Sequence, residues 1–145
     1  MTGCWAGYFC YKISIIPFEE KYTCHFKQLN IEWLQQYFVI EAYDEYQLSH
    51  PIQEIIDKGG CIFLAKENEN IIGTVALMKE TDRSFEITKM SLTKDSRGKG
   101  VSKLLMDACI QLANDKIWDR LFLFPIPYSF QPFNYIVVMA SGKFL

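Results

Sequence analysis

Leu92-Thr93-Lys94-Asp95-Ser96-Arg97-Gly98-Lys99-Gly100-Val101-Ser102-Lys103-Leu104-Leu105 decides how this chain is read. On its N-terminal side, Phe85 to Leu92 is a strand-like run. On its C-terminal side, Val101, Leu104, Leu105, Ala108 and Leu112 recur at the spacing of one helical face. Between strand and helix stand two glycines one residue apart, with cationic side chains interleaved. A strand that enters a glycine turn and leaves as a helix aims free backbone N–H groups across the helix N-terminus. Anions, phosphates above all, suit that geometry. Lys94, Arg97, Lys99 and Lys103 against the single Asp95 make the stretch net +3, in a chain whose formal total is −2. An ordinary basic connection would look the same locally, so the order of the surrounding elements has to decide.

Upstream, the pattern is a β meander. Cys61 to Ala65, Ile71 to Met78 and Phe85 to Leu92 are strands, separated by the turns Glu67-Asn68-Glu69-Asn70 and Thr81-Asp82-Arg83-Ser84. Gly73 falls inside the second strand. Before the meander, Ile13 to Phe18 is a short strand closed by Pro17. Glu19 to Gln36 is a helix with Tyr22, Phe26, Leu29, Trp33 and Leu34 on one face. Tyr37 to Tyr43 is an irregular connector. Asp44 is placed to cap a further helix through Leu48, Ile52, Ile55 and Ile56, interrupted at Pro51 and ended by Gly59-Gly60. Downstream, the helix after the glycine turn runs to about Asn114, and Leu121 to Phe124 begins a last strand. The order is β-α-α-β-β-β-α-β: a mixed α/β (α+β) domain with a mostly antiparallel central sheet and helices on both faces. A strand–helix–strand crossover after a meander implies one parallel pair near the glycine turn. A sheet can splay where such a pair separates, and ligands enter at such places.

The bulk numbers exclude other classes. A chain of 145 residues, half of them hydrophobic and 15% aromatic, is one domain with a sizeable core. The slightly acidic balance argues against a nucleic-acid partner. Five widely spaced cysteines with no CxxC pair fit reduced thiols in a cytoplasmic protein better than a disulfide framework or a zinc site. His25 and His50 have no cysteine at ligand spacing, so no metal is expected. Residues 1–12 read as a leader outside the domain. Their apolar part, Met1 to Tyr11, has neither the basic start of a secretory signal nor the ~20 residues of a membrane span, and no membrane partner is expected.

With the elements in this order, the chain resembles the GNAT superfamily of acyl-CoA N-acyltransferases over residues 13–124. The resemblance is most specific from Lys89 to Val101. The family's acyl-CoA signature is Gln/Arg-x-x-Gly-x-Gly/Ala, and Arg97-Gly98-Lys99-Gly100 matches its frequent core. Asp95 replaces the first Gln/Arg, and Ser102 stands where a small residue, often Gly, is usual.

The resemblance implies transfer of an acetyl group from acetyl-CoA to a primary amine, by direct attack in a ternary complex. Backbone N–H groups of Arg97, Gly98, Lys99, Gly100, Val101 and Ser102 would hold the pyrophosphate. Ser91, Leu92 and Thr93 would pair with the pantetheine arm as an added strand does. A backbone N–H near Met90 to Leu92 would polarise the thioester carbonyl. Glu86 is the candidate general base, since family members often carry an acid on this strand; a solvated carboxylate is the plainer reading. Glu41 and Tyr43, with Asp44, would line the acceptor side. Lys89 reads as structural or peripheral, Trp33 and Phe38 as core.

The resemblance stops after Leu121-Phe122-Leu123-Phe124. The family continues with a Ser-Asn-rich turn, a helix bearing a Tyr proton donor, a Gly-Phe and a last strand. Here Pro125, Pro127 and Pro132 forbid a regular helix at that place. Reading the codons one nucleotide earlier permits Ser-Asn-Thr-Leu-Phe at the start of the tail and forces a Gly at Met139-Ala140. The tail, 125–145, is therefore expected to be a frameshift product, with the C-terminal helix and last strand missing. Tyr128 and Tyr135 sit in no matching motif. The alternative function that follows is a catalytically impaired acyl-CoA-binding relic of the same family.

Overall fold

The computed structural model describes residues 12–37, 40–118 and 120–123. Five strands form a single sheet in the order β1-β2-β3-β4-β5: β1 (Ile13–Pro17), β2 (Cys61–Glu67), β3 (Asn70–Thr81), β4 (Ser84–Leu92) and β5 (Arg120–Leu123). The first three pairings are antiparallel, and β5 runs parallel to β4 from Ser84↔Arg120 to Ile87↔Leu123. The crossover into that parallel pair is α3 (Val101–Asp115), as the strand–helix–strand order requires. The family-like elements up to β5 stand where the sequence pattern places them. Phe124, the leader up to Tyr11 and the tail from Pro125 lie outside the described residues, as does Phe38.

Each sheet face has its own core. Val101, Leu105, Cys109 and Ala113, a 3.6-period stripe, seat α3 on Val75, Leu77, Phe85, Ile87 and Leu121. On the opposite face, α1 (Thr23–Tyr37) and α2 (Ala42–Ser49) cover Ile62, Leu64 and Ala76 through Phe26, Leu29 and Leu48. Burying a side chain such as Phe26 or Leu105 stabilises by about 1.5–3 kcal/mol each. Trp118, just past α3, stacks on Phe85 with ring centroids 3.6 Å apart and fastens the crossover to β4.

Two local expectations are corrected. The N-cap of α2 is Glu41, not Asp44; Asp44 stands at the third helical position and its Oδ2 accepts the Glu41 N–H at 3.2 Å. The early helix begins at Thr23, after a single 3₁₀ turn over Glu20–Tyr22. Pro51 does divide the second helical segment, into α2 and a short π-type turn over Ile52–Ile56.

Gly73 is explained by packing. A Cβ there would lie 2.7 Å from Leu92 Cδ2 and within 3.3 Å of Leu105 and Val101 side-chain carbons. Its absence lets the first turn of α3 settle against the sheet beside the end of β4. That close approach places the glycine turn at the sheet margin.

Candidate active site

The glycine turn leaves β4 through Thr93, makes one 3₁₀ turn over Lys94–Ser96, and enters α3. Gly98 and Gly100 have φ of +78° and +79°, conformations that an L side chain adopts only under strain. Added Cβ atoms would meet nothing within 4 Å at either position, so backbone conformation, not space, calls for glycine. Gly100 is the N-cap of α3 and offers no side-chain acceptor. As the first residues of the helix, Val101, Ser102 and Lys103 have N–H groups with no intrahelical acceptor. The helix dipole adds positive potential there, and Arg97 and Lys99 are exposed beside it. Ser96 is buried, its Oγ 2.6 Å from Thr93 Oγ1, which pins the start of the turn. Arg97 Nη2 donates to Gln36 Oε1 of α1 at 3.4 Å. The donor set fits a pyrophosphate: neutral N–H groups at a helix start with exposed cations beside them.

β4 is built in two halves. Ser84 to Ile87 pairs with β3 on one side and β5 on the other. From Thr88 to Leu92 it pairs with β3 alone among the described residues. Between the halves the β3–β4 register slips: Ala76 faces Thr88 but Thr74 faces Ser91, so Lys89 and Met90 stand opposite Val75. This is a β-bulge, and Lys89 carries it at φ +53°. The bulge changes which side chains face which helix. Phe85 and Ile87 face α3 before it, and Met90 and Leu92 face α3 after it.

The bulge also decides which main-chain groups face the open edge. Thr93 N–H donates to Ile72 carbonyl at 2.9 Å, so it is turned towards β3. Peptide groups alternate along a strand. Ser91 therefore points the same way, towards Thr74, while Leu92 and, by the same alternation, Met90 point away from β3. Of Ser91, Leu92 and Thr93, all expected to pair with the pantetheine arm, only Leu92 presents its main chain to the open edge. Thr93 and Ser91 have their N–H groups directed into the sheet.

Glu86 lies on the α1–α2 face of β4, opposite Met78. Partial burial, then the Glu80 carboxylate, pushes its carboxyl above the ordinary range, against the opposing pull of Lys89. Lys89 is held below its ordinary value by burial, against the attraction of Asp44 and Glu86. The start of α2 thus lies within electrostatic reach of the bulge, and Asp44 is the α2 group whose charge acts on Lys89. Tyr43, 61% exposed, lies instead with Tyr46 near Lys58, and Glu41 is exposed at the helix cap. Trp33 is half-buried in α1. Lys89, which sequence reasoning set aside, is therefore part of the charged face of the site. Its signal was the spacing of apolar residues, Phe85, Ile87, Met90, Leu92, whose step of three between Ile87 and Met90 marks the bulge.

Among the described residues no group of three or more His, Cys, Asp or Glu is placed to hold a metal, and no helix is long and apolar enough to cross a membrane. Cys24, Cys61 and Cys109 are free thiols. Burial pushes Cys61 to about 11 and Cys109 to about 12, too high for either to act as a nucleophile at neutral pH.

The acetyltransferase (GNAT) family model matches residues 26–127. Among solved structures, a GNAT acetyltransferase of Staphylococcus aureus Mu50 superposes with a TM-score of 0.72 at 24% identity, over 79% of this chain and 74% of that one. A ribosomal-protein-alanine N-acetyltransferase of Brucella melitensis biovar Abortus 2308 gives 0.65 at 20% identity, over 81% and 83%. A predicted acetyltransferase of Clostridium acetobutylicum, solved with acetyl-CoA, gives 0.67 at 18% identity, over 85% and 92%. These likenesses are of fold. Among curated proteins, none matches the sequence.

Proposed function

The chain belongs to the acetyltransferase (GNAT) family, whose members transfer acetyl groups from acetyl-CoA, and on that premise we propose that it N-acetylates a primary amine by direct attack in a ternary complex. The observation that carries the reading is the continuity of two donor surfaces. The Arg97 N–H is turned inward to the Lys94 carbonyl at 3.4 Å, so the N–H groups from Gly98 to Ser102 are the donors at the end of the same strand whose edge, unpaired among the described residues, presents the main chain of Leu92 and Met90. A pyrophosphate held at the turn lets a pantetheine arm run back along β4 as an added strand, bringing the thioester to the bulge. The amine nitrogen attacks the carbonyl carbon. The C–N bond forms, the C–S bond breaks, and coenzyme A leaves as the thiolate.

Two groups of this chain serve that step in the proposal. An N–H at Leu92 or Met90 donates to the carbonyl oxygen as it gains charge. Glu86 receives the amine proton; burial and the Glu80 carboxylate raise its pKa and make it a stronger base than an ordinary carboxylate. Glu86 and Met90 are four residues apart, about 13 Å along an extended strand, so the proton travels through water. The acceptor approaches over the start of α2, past the exposed Glu41 and Tyr43. The domain spans 13–124 in this reading, with 1–12 a leader and 125–145 a non-family tail. A cytoplasmic location belongs to the same proposal, supported by the free thiols.

Thermal shift with coenzyme A and with acetyl-CoA, followed by thiol release across a panel of amines, tests the proposal. Stabilisation by both and thiol release with at least one amine is expected. Stabilisation without release from any amine would replace the enzyme with a catalytically impaired acyl-CoA-binding relic. No stabilisation by either would remove the cosubstrate from the account.

A further inference from the structure

Between α1 and the sheet lies a polar cluster sealed from solvent. Asn30, Ser91 and Thr74 are 3%, 2% and 0% exposed. Ser91 Oγ donates to Asn30 Oδ1 at 2.8 Å, and Asn30 Nδ2 donates to the Phe26 carbonyl one turn earlier at 2.9 Å. Both ends of the Asn30 amide are thereby engaged and its orientation is set. Thr74 is the partner of Ser91 across β3–β4. Among the described residues its Oγ1 finds no partner.

Stability alone does not call for this cluster. Apolar groups of the same shape would hold α1 on the sheet about as well, because a buried hydrogen bond contributes little net and an unpaired hydroxyl costs free energy. What a hydrogen bond adds is direction. Ser91 sits between Met90 and Leu92, directly after the Lys89 bulge, where the ladder is irregular and the far edge has no partner strand among the described residues. A tether on Ser91 Oγ fixes the rotation of that segment about its own axis. The peptide groups on either side are fixed with it.

We propose that Asn30 is a positioning residue for acyl transfer: by gripping Ser91 Oγ from α1, it aims the main-chain N–H groups of Met90 and Leu92 at the open edge of β4. The inference rests on the acetyltransferase reading of this site. It divides the work between two regions. Most of the affinity for coenzyme A comes from the glycine turn, which Asn30 does not touch, and the pantetheine arm adds the smaller share that the edge of β4 supplies. Stabilisation of the charge on the thioester oxygen resides in the segment that Asn30 aims.

The test uses the full chain with Asn30→Leu, Ser91→Ala and the double variant. The measurements are calorimetric affinity for coenzyme A, kcat and KM for acetyl-CoA with an amine that the wild type accepts, and the melting temperature. Both single variants should lose about tenfold in kcat, the value of one hydrogen bond made best in the transition state. The double variant should lose no more than either, since both remove the same bond. Coenzyme A affinity and KM for acetyl-CoA should stay within about twofold of wild type. Thr74→Val, a control outside the tether, should keep kcat and raise the melting temperature by removing the unpaired hydroxyl.

An unchanged kcat in Ser91→Ala would overturn the proposal, as would losses that add in the double variant. A fall in kcat matched by an equal loss of coenzyme A affinity would also overturn it, because general loosening of the fold predicts that result. Should Asn30→Leu fail to fold, Ser91→Ala removes one atom only and decides alone. Wild-type protein that releases thiol with no amine would overturn the transferase reading and this inference together. Active wild type with equally active variants would overturn the inference alone.

Discussion

The two halves of β4 are made from one continuous run of residues, yet they do opposite things. Ser84 to Ile87 is flanked by β3 and β5, and its Phe85 and Ile87 lie in the α3 core. Thr88 to Leu92 keeps β3 but presents its other edge, after a bulge that Lys89 holds at φ +53°. The first half is scaffold. The second has an edge that no described residue pairs, and unpaired backbone donors are what an acyl-CoA arm and a thioester oxygen need. One left-handed residue, Lys89, stands between the two halves, at a strain of about 1–2 kcal/mol that the flanking pairings offset.

The largest expected effect separates the carboxylate of the scaffold half from its packing. Glu86→Gln should lower kcat by about 10²–10⁴, the usual range for a general base, with a melting temperature at neutral pH no lower than that of wild type. In wild type the acidic limb of kcat/KM should lie above the ordinary carboxylate pKa, because burial and Glu80 raise Glu86. The stability linkage has a definite sign. The folded state binds the Glu86 proton more tightly than the unfolded chain does. The stabilisation is full below the ordinary pKa and is lost as pH rises through the folded value. Glu86→Gln should remove that slope from the melting temperature.

Next in size, Ile87→Ala empties a site that is 1% exposed in the scaffold half. It should cost about 2–5 kcal/mol in urea unfolding, while the protein that remains folded binds coenzyme A as before. Gly100→Val should do the reverse. A β-branched residue at φ +79° disfavours the conformation that opens the head of α3. Coenzyme A affinity should fall at least about tenfold, with a stability loss of only about 1–2 kcal/mol.

Much of this division was legible from residues alone. Strand and helix periods are local properties, and so is the chemistry of two glycines after a strand, which is why the meander, the crossover helix and the glycine turn lie where the pattern puts them. The cap of α2 was misplaced by three residues because Asp is the commoner N-cap, whereas Asp44 here reaches back from inside the helix to the Glu41 N–H. The bulge was readable only from the step between Ile87 and Met90, since nothing in a lysine announces a left-handed backbone. Asn30 and Ser91 are 61 residues apart. Their contact exists only once α1 is docked, although a polar residue on the Phe26–Leu34 apolar face was a trace of it.

The smallest effect concerns Asp95, the first of the two departures from the family signature. Asp95 is exposed two residues before Arg97, and its charge would oppose a pyrophosphate held at the turn as proposed. Asp95→Gln should tighten coenzyme A binding by a few-fold at low ionic strength, with the gain shrinking as salt screens it.

Amide hydrogen exchange of the wild-type chain, with and without acetyl-CoA, tests the contrast between the two halves of β4 most directly. The account predicts slowed exchange at Leu92, Met90 and the Arg97–Lys103 turn, with Ser84 to Ile87 unchanged because both of its edges are already paired. Exchange that does not slow at Leu92 and the turn, or that slows equally along the whole of β4, would contradict it.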